Sequence, residues 1–187
     1  GLIYSKLKQF DKAIEDFKKV IEINPKSRDA YNNLGIAFFS TKKYSEAISY
    51  YSTSMEMGDN SSRLYFNRAN AYYMDKRFIE AIDDFTAAIE MEPGLTHAYF
   101  GRANCYVYLS KYKDAIKDFS KAITINQKFL QAYIGRGNAF LKLKHTKKAL
   151  EDFTLAIEIK PDSPQAYYNR GIAFKNEGKF DRAAKDF

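Results

Sequence analysis

The sequence repeats itself every 34 residues, and a period of that length decides the architecture before any single residue is considered. YNNLGIAFF (31–39), YFNRANAYY (65–73), YFGRANCYV (99–107), YIGRGNAFL (133–141) and YYNRGIAFK (167–175) align at this constant step. A second block keeps it: AIEDF from Ala13, AISYY from Ala47, AIDDF from Ala81, AIKDF from Ala115, ALEDF from Ala149 and AAKDF from Ala183. With positions numbered 1 to 34, whole repeats occupy 28–61, 62–95, 96–129 and 130–163, flanked by partial repeats at 1–27 and 164–187.

Apolar or small residues fall at positions 4, 8 and 11 of each repeat, and again at 17, 20, 21, 24, 27 and 28. Both sets have the i, i+3, i+4, i+7 spacing of an amphipathic helix, and no stretch alternates as a strand would. Position 20 is Ala in every copy, and position 8 is Gly1, Gly35, Ala69, Ala103, Gly137 or Gly171. Small side chains at facing positions let two helices approach closely, with large residues such as Tyr65, Tyr72 and Phe85 filling the space beside them. Pro25, Pro93 and Pro161, at position 32, punctuate the boundaries. The expectation is an all-α chain of helix-turn-helix units, none of which buries its apolar face without a neighbour, so that the units stack as a solenoid. On this reading the chain is a window of 5.5 repeats on a longer array, with its natural start missing.

Composition removes other classes. Thirty aromatic residues against 4 Pro and 9 Gly exclude a disordered or collagen-like chain. One Cys and two His leave no disulfide framework and no multi-ligand zinc site, so neither metal nor cofactor is expected. No apolar run reaches membrane-spanning length, and GLIYSKLKQF is no signal peptide. We expect a reducing, cytoplasmic setting, with a cytoskeletal or ciliary assembly as a narrower alternative. Catalysis finds no support: Cys105 stands where other copies have Ala37, Ala71, Ala139 and Ala173, and His97 and His145 have neither a paired acid nor ligand spacing.

The pattern of aromatic, small, aromatic on the first helix, then Ala, aromatic, Ala and Pro on the second, resembles the tetratricopeptide repeat family over the whole chain. The resemblance implies a right-handed superhelix of antiparallel helix pairs, first helices lining a concave groove. It says little about function, since that fold serves many partners.

Two positions depart from the family pattern together. Position 7 is Leu34 in the first whole repeat but Arg68, Arg102, Arg136 and Arg170 afterwards, although the chain has only 8 Arg. Position 23 reads Tyr50, then Asp84, Asp118, Asp152 and Asp186. Arg and Asp are present together or absent together, which points to an Arg–Asp pair within each repeat, bracing first helix to second. The repeat at 28–61 also has Ser54 where Ala is preferred and Gly58-Asp59-Asn60 where Pro is expected. It reads either as drift in one repeat or as an inter-segment boundary, and its Gly58 predicts a left-handed helix cap.

In the family, positions 2, 5, 9, 12 and 13, with 6 at the margin, face the groove. Carried over, they give Asn33, Arg63, Phe66, Asn67, Asn70, Tyr73, His97, Phe100, Asn104, Tyr108, Asn138 and Asn169 as a peptide-binding set rich in amides and aromatics. Asn70, Asn104 and Asn138 recur at one position, where a row of amides either meets the backbone of an extended peptide or only satisfies neighbouring groups. Position 5 holds no Lys, so the family's carboxylate clamp for the heat-shock chaperone C-terminal tail is not expected. The excess positive charge, +7 overall, gathers at the turn between the two helices as Lys42, Lys43, Lys76, Arg77, Lys111 and Lys144. Such cations either complement helix C-termini or steer an acidic partner. Nucleic acid is disfavoured, because the groove set lacks clustered Arg and Lys. The leading expectation is a non-catalytic protein-interaction scaffold within a larger assembly; the alternative is a regulatory or substrate-selecting arm of a larger, glycosyltransferase-like enzyme.

Overall fold

The computed structural model describes all of residues 1–187 as α-helices joined by short turns. Two compact units divide it, Gly1–Pro93 and Gly94–Phe187. The first contains α1 (Leu2–Lys6), α2 (Phe10–Ile23), α3 (Arg28–Ser40), α4 (Tyr44–Glu56), α5 (Ser62–Met74) and α6 (Phe78–Met91). The second contains α7 (Thr96–Tyr108), α8 (Tyr112–Ile125), α9 (Leu130–Lys142), α10 (Thr146–Ile159), α11 (Pro164–Asn176) and α12 (Phe180–Asp186). Within each unit consecutive helices pack as pairs, and each pair packs on the next. The division falls at Pro93-Gly94, between two regular repeats, rather than at the irregular repeat 28–61. In Gly1–Pro93 that repeat is bound to its neighbours by one continuous apolar cluster from Ala13 to Ala71.

From α3 onward each first helix begins at position 1 of its repeat. Ser61 and Ser163 cap α5 and α11, their hydroxyls accepting from the Leu64 and Ala166 N–H groups, and Pro164 fits the first helical position, where no N–H is needed. The turn to the second helix has one construction throughout. In the α3–α4 turn the Lys43 N–H donates to the Phe38 carbonyl at 2.9 Å and the Lys42 N–H to Phe39 at 3.0 Å, which closes the helix with a left-handed residue. The same double bond recurs at Lys76-Arg77, Ser110-Lys111 and Lys144-His145. The left-handed residue is glycine only at Gly178; Lys8, Lys42, Lys76, Ser110 and Lys144 hold φ between 56° and 63°. That conformation costs a residue with a Cβ about 1 kcal/mol, so turn closure outweighs local preference here.

α8 and α10 end in an extended residue, Asn126 and Lys160. α4 differs: Gly58 adopts φ 92° and its N–H reaches the Met55 carbonyl, giving the left-handed cap that the sequence predicts. The core follows from the small positions. A Cβ at Gly35 would lie 2.4 Å from the ring of Tyr51, and one at Gly137 would lie 2.6 Å from that of Phe153. Position 8 is therefore small because the position 24 ring lies directly on it. Ser54, fully buried where the later repeats have Ala88, Ala122 and Ala156, donates to the Arg28 carbonyl at 3.2 Å and so leaves no unpaired hydroxyl.

Candidate interaction site

The four Arg–Asp pairs join the first helix of a repeat to the second by two parallel bonds. Arg68 donates from Nε to Asp84 Oδ2 at 2.7 Å and from its terminal nitrogen to Oδ1 at 2.8 Å. Arg102 meets Asp118 at 2.7 and 2.9 Å, Arg136 meets Asp152 at 2.9 and 2.6 Å, and Arg170 meets Asp186 at 2.8 Å twice. The carboxylates are almost fully covered and the guanidiniums four-fifths covered. Each guanidinium also lies near the face of a tyrosine one turn earlier: Tyr65, Tyr99, Tyr133 or Tyr167. Hydrogen bonding to the carboxylate raises each arginine further above its ordinary value. Burial pushes the Asp152 carboxyl up while its bonds to Arg136 pull it down. Because both Asp152 oxygens accept N–H bonds, the geometry holds the carboxylate form.

A further contact had escaped the sequence reading. The remaining nitrogen of Arg68 donates to the Ser52 hydroxyl at 2.9 Å, and that of Arg136 donates to Ser120 at 3.0 Å, in each case in the preceding repeat. A sequence signal existed. Position 25 is Ser52, Thr86, Ser120 or Thr154 ahead of a repeat with Arg at position 7, and Lys18 ahead of Leu34. In the repeat without the pair, Leu34 is fully buried and Tyr50 stacks on Phe38 at 5.0 Å and 7°.

The residues of the expected peptide-binding set lie on first helices with varied exposure. In Gly1–Pro93, Arg63 is exposed, while Asn33, Phe66, Asn67, Asn70 and Tyr73 are half-buried. Phe66 packs its inner edge on Phe85 at 5.9 Å, and the Asn70 amide donates to the Phe66 carbonyl at 2.8 Å, so Asn70 is partly committed to its own helix. In Gly94–Phe187, His97, Tyr108 and Asn138 are exposed, and Phe100, Asn104 and Asn169 are half-buried. Asn169 has a buried Nδ2 without a partner. Phe100 touches Phe119 at 5.7 Å and Phe129 at 4.9 Å, and His97 lies 5.3 Å from Phe129. Phe129, just ahead of α9, enlarges the aromatic cluster; it was missed because its position precedes the first helix and is Ser27, Ser61, Leu95 or Ser163 elsewhere.

The basic residues Lys42, Lys43, Lys76, Arg77, Lys111 and Lys144 are all exposed at the inter-helix turns. Arg77 is engaged by Glu80 at 2.9 Å. Cys105 is fully buried, and burial pushes its thiol up to about 12, which makes it a poor nucleophile. No group of three or more His, Cys, Asp and Glu is placed to hold a metal ion, and no helix is long and apolar enough to cross a membrane.

A family model described as tetratricopeptide repeat matches residues 62–95, 97–129 and 130–163, a second of the same description matches 29–57, and one described as TPR repeat matches 1–42. Curated protein sequences give no match. Among solved structures, a tetratricopeptide repeat protein from Parabacteroides merdae is similar with a TM-score of 0.86 at 22% identity, covering 99% of this chain and 73% of that one. The pilF protein of Pseudomonas aeruginosa gives 0.83 at 19%, covering 100% and 85%. YrrB, described as a TPR protein with an unusual peptide-binding site, gives 0.76 at 22%, covering 92% and 89%. At these identities the likeness is one of fold.

Proposed function

We propose, because this chain belongs to the tetratricopeptide repeat family, that it is a non-catalytic interaction scaffold whose first-helix faces hold an extended segment or helix of a partner protein within a larger assembly. The observation that carries the reading is the face of Gly94–Phe187. There the half-buried Phe100 and Asn104 and the exposed His97, Asn138 and Tyr108 combine aromatic surface with amide groups. Aromatic edges supply apolar contact, and amides that both donate and accept meet a peptide backbone whatever its sequence. The peptide-binding site in YrrB's description supports the same use of this fold. The braces Arg102–Asp118 and Arg136–Asp152 then serve binding indirectly, by fixing the angle at which each first helix meets its second.

The test is site-specific photocrosslinking in the full-length protein in its native assembly. A crosslinker at Asn104 or Tyr108 labels one contiguous segment of one partner, and the same group at Glu151, an exposed second-helix position, does not. Equal labelling from both positions refutes the reading.

A further inference from the structure

The turn between α9 and α10 forms the floor of an open cavity of about 430 Å³, lined by Lys144, His145, Thr146, Lys147, Lys148 and Glu177. What distinguishes this turn is that the second helix after it opens without an acid. At the α5–α6 turn Arg77 is held by Glu80, and in α8 Lys117 is held by Asp114, both acids lying in the first turn of their helix. α10 has no acidic residue in its first turn; Lys148 stands where α4, α6 and α8 have Glu46, Glu80 and Asp114. The single carboxylate of the cavity, Glu177, is already paired with Lys179. Lys144, Lys147 and Lys148 enter no ion pair within the chain.

The cluster is also held in place. The His145 N–H to Phe140 carbonyl bond, 2.9 Å, fixes the turn, and Lys144 sits at φ 61°. Lys148 lies over one region of the Phe140 ring at 5.6 Å, and His145 meets the same ring edge-on at 6.3 Å. A cationic cleft with little freedom to reorganise favours an anionic ligand over water more than the same charges on free chains would.

We propose that this cleft docks an acidic segment of a partner protein, a run of Asp and Glu, independently of the first-helix face. Three lysines and an imidazole offer point charges that several carboxylates of a flexible segment can share. The lining has no arginine to fork onto phosphate, and its one nearby ring is occupied by Lys148 and His145, leaving none to stack a base. It also has no exposed apolar side chain to enter a lipid surface.

The experiment titrates a short fluorescein-labelled poly-glutamate peptide into the full chain by anisotropy. Binding is expected, weakening as salt rises from about 50 to about 500 mM. The variant K144E/K147E/K148E is expected to bind about tenfold more weakly or worse. K8E/K42E/K43E, which reverses exposed turn charges in the other unit, is expected to change affinity less than about twofold. Glutamates at 147 and 148, in the first turn of α10, suit the helix dipole, and thermal melting checks that the triple variant is folded. Backbone amide shifts of residues 144–148 on adding the peptide to the unmutated chain give a second readout. Absence of binding, equal loss in both variants, no shifts at 144–148, or tighter binding to an RNA oligonucleotide of equal charge or to phosphatidylserine vesicles overturns the proposal.

Discussion

Removing the carboxylate at Asp152 separates a brace from a passive ion pair. In Asp152→Ala the Arg136 guanidinium keeps its bond to Ser120 but loses both bonds to Asp152, while only a fifth of its side chain meets water. Breaking a fully buried pair from one side costs about 3–5 kcal/mol, and the exposed fifth recovers part of that as hydration, leaving about 2–3 kcal/mol. The array supplies its own control. Arg136→Leu with Asp152→Tyr copies Leu34 and Tyr50, and Phe140 stands where Phe38 receives the stacked ring. With an apolar pair filling the same space, the double variant is expected within about 1 kcal/mol of the original. Because a repeat array opens locally, the assay is hydrogen exchange of the α9 and α10 amides, with urea unfolding beside it. Unchanged protection in Asp152→Ala, or a double variant as damaged as the single one, refutes the reasoning.

Ser120→Ala removes only the bond from Arg136 across the repeat boundary and is expected to cost about 1 kcal/mol in urea unfolding, less than Asp152→Ala. Gly35→Ala places a Cβ 2.4 Å from the ring of Tyr51, itself 2% exposed, and should destabilise by about 1–3 kcal/mol despite alanine's helix preference; a raised melting temperature would count against the packing argument. Lys42→Gly and Lys76→Gly relieve the positive φ at each turn and should stabilise by about 0.5–1 kcal/mol apiece, read as an increase in melting temperature. Cys105 should resist iodoacetamide at pH 8 in the folded chain and react once it is unfolded in urea.

Helix positions were legible because the 34-residue period superposes six imperfect signals; Tyr112 begins a second helix at the same step as Tyr44 and Phe78. Joint presence of Arg136 and Asp152, and joint absence at Leu34 and Tyr50, marked side chains that stand within hydrogen-bond distance. The left-handed lysines were not legible, since lysine has no preference for that conformation and the closing bonds of the turn impose it. The surroundings of the candidate face were only partly legible. Position alone could not show that the Asn70 amide turns back to Phe66, or that Phe129 joins His97 and Phe100 from outside the helix.

The bonds from Arg68 to Ser52 and from Arg136 to Ser120 bear on how the chain answers tension. At those two steps a pulling force must break a directional bond, which fails after a short displacement, together with an apolar contact that yields gradually. Between 1–27 and 28–61, Lys18 and Leu34 occupy the corresponding places, and only the apolar contact resists. The step between 1–27 and 28–61 would open at lower load than the stitched ones, and the chain would yield in an ordered sequence instead of a single rupture.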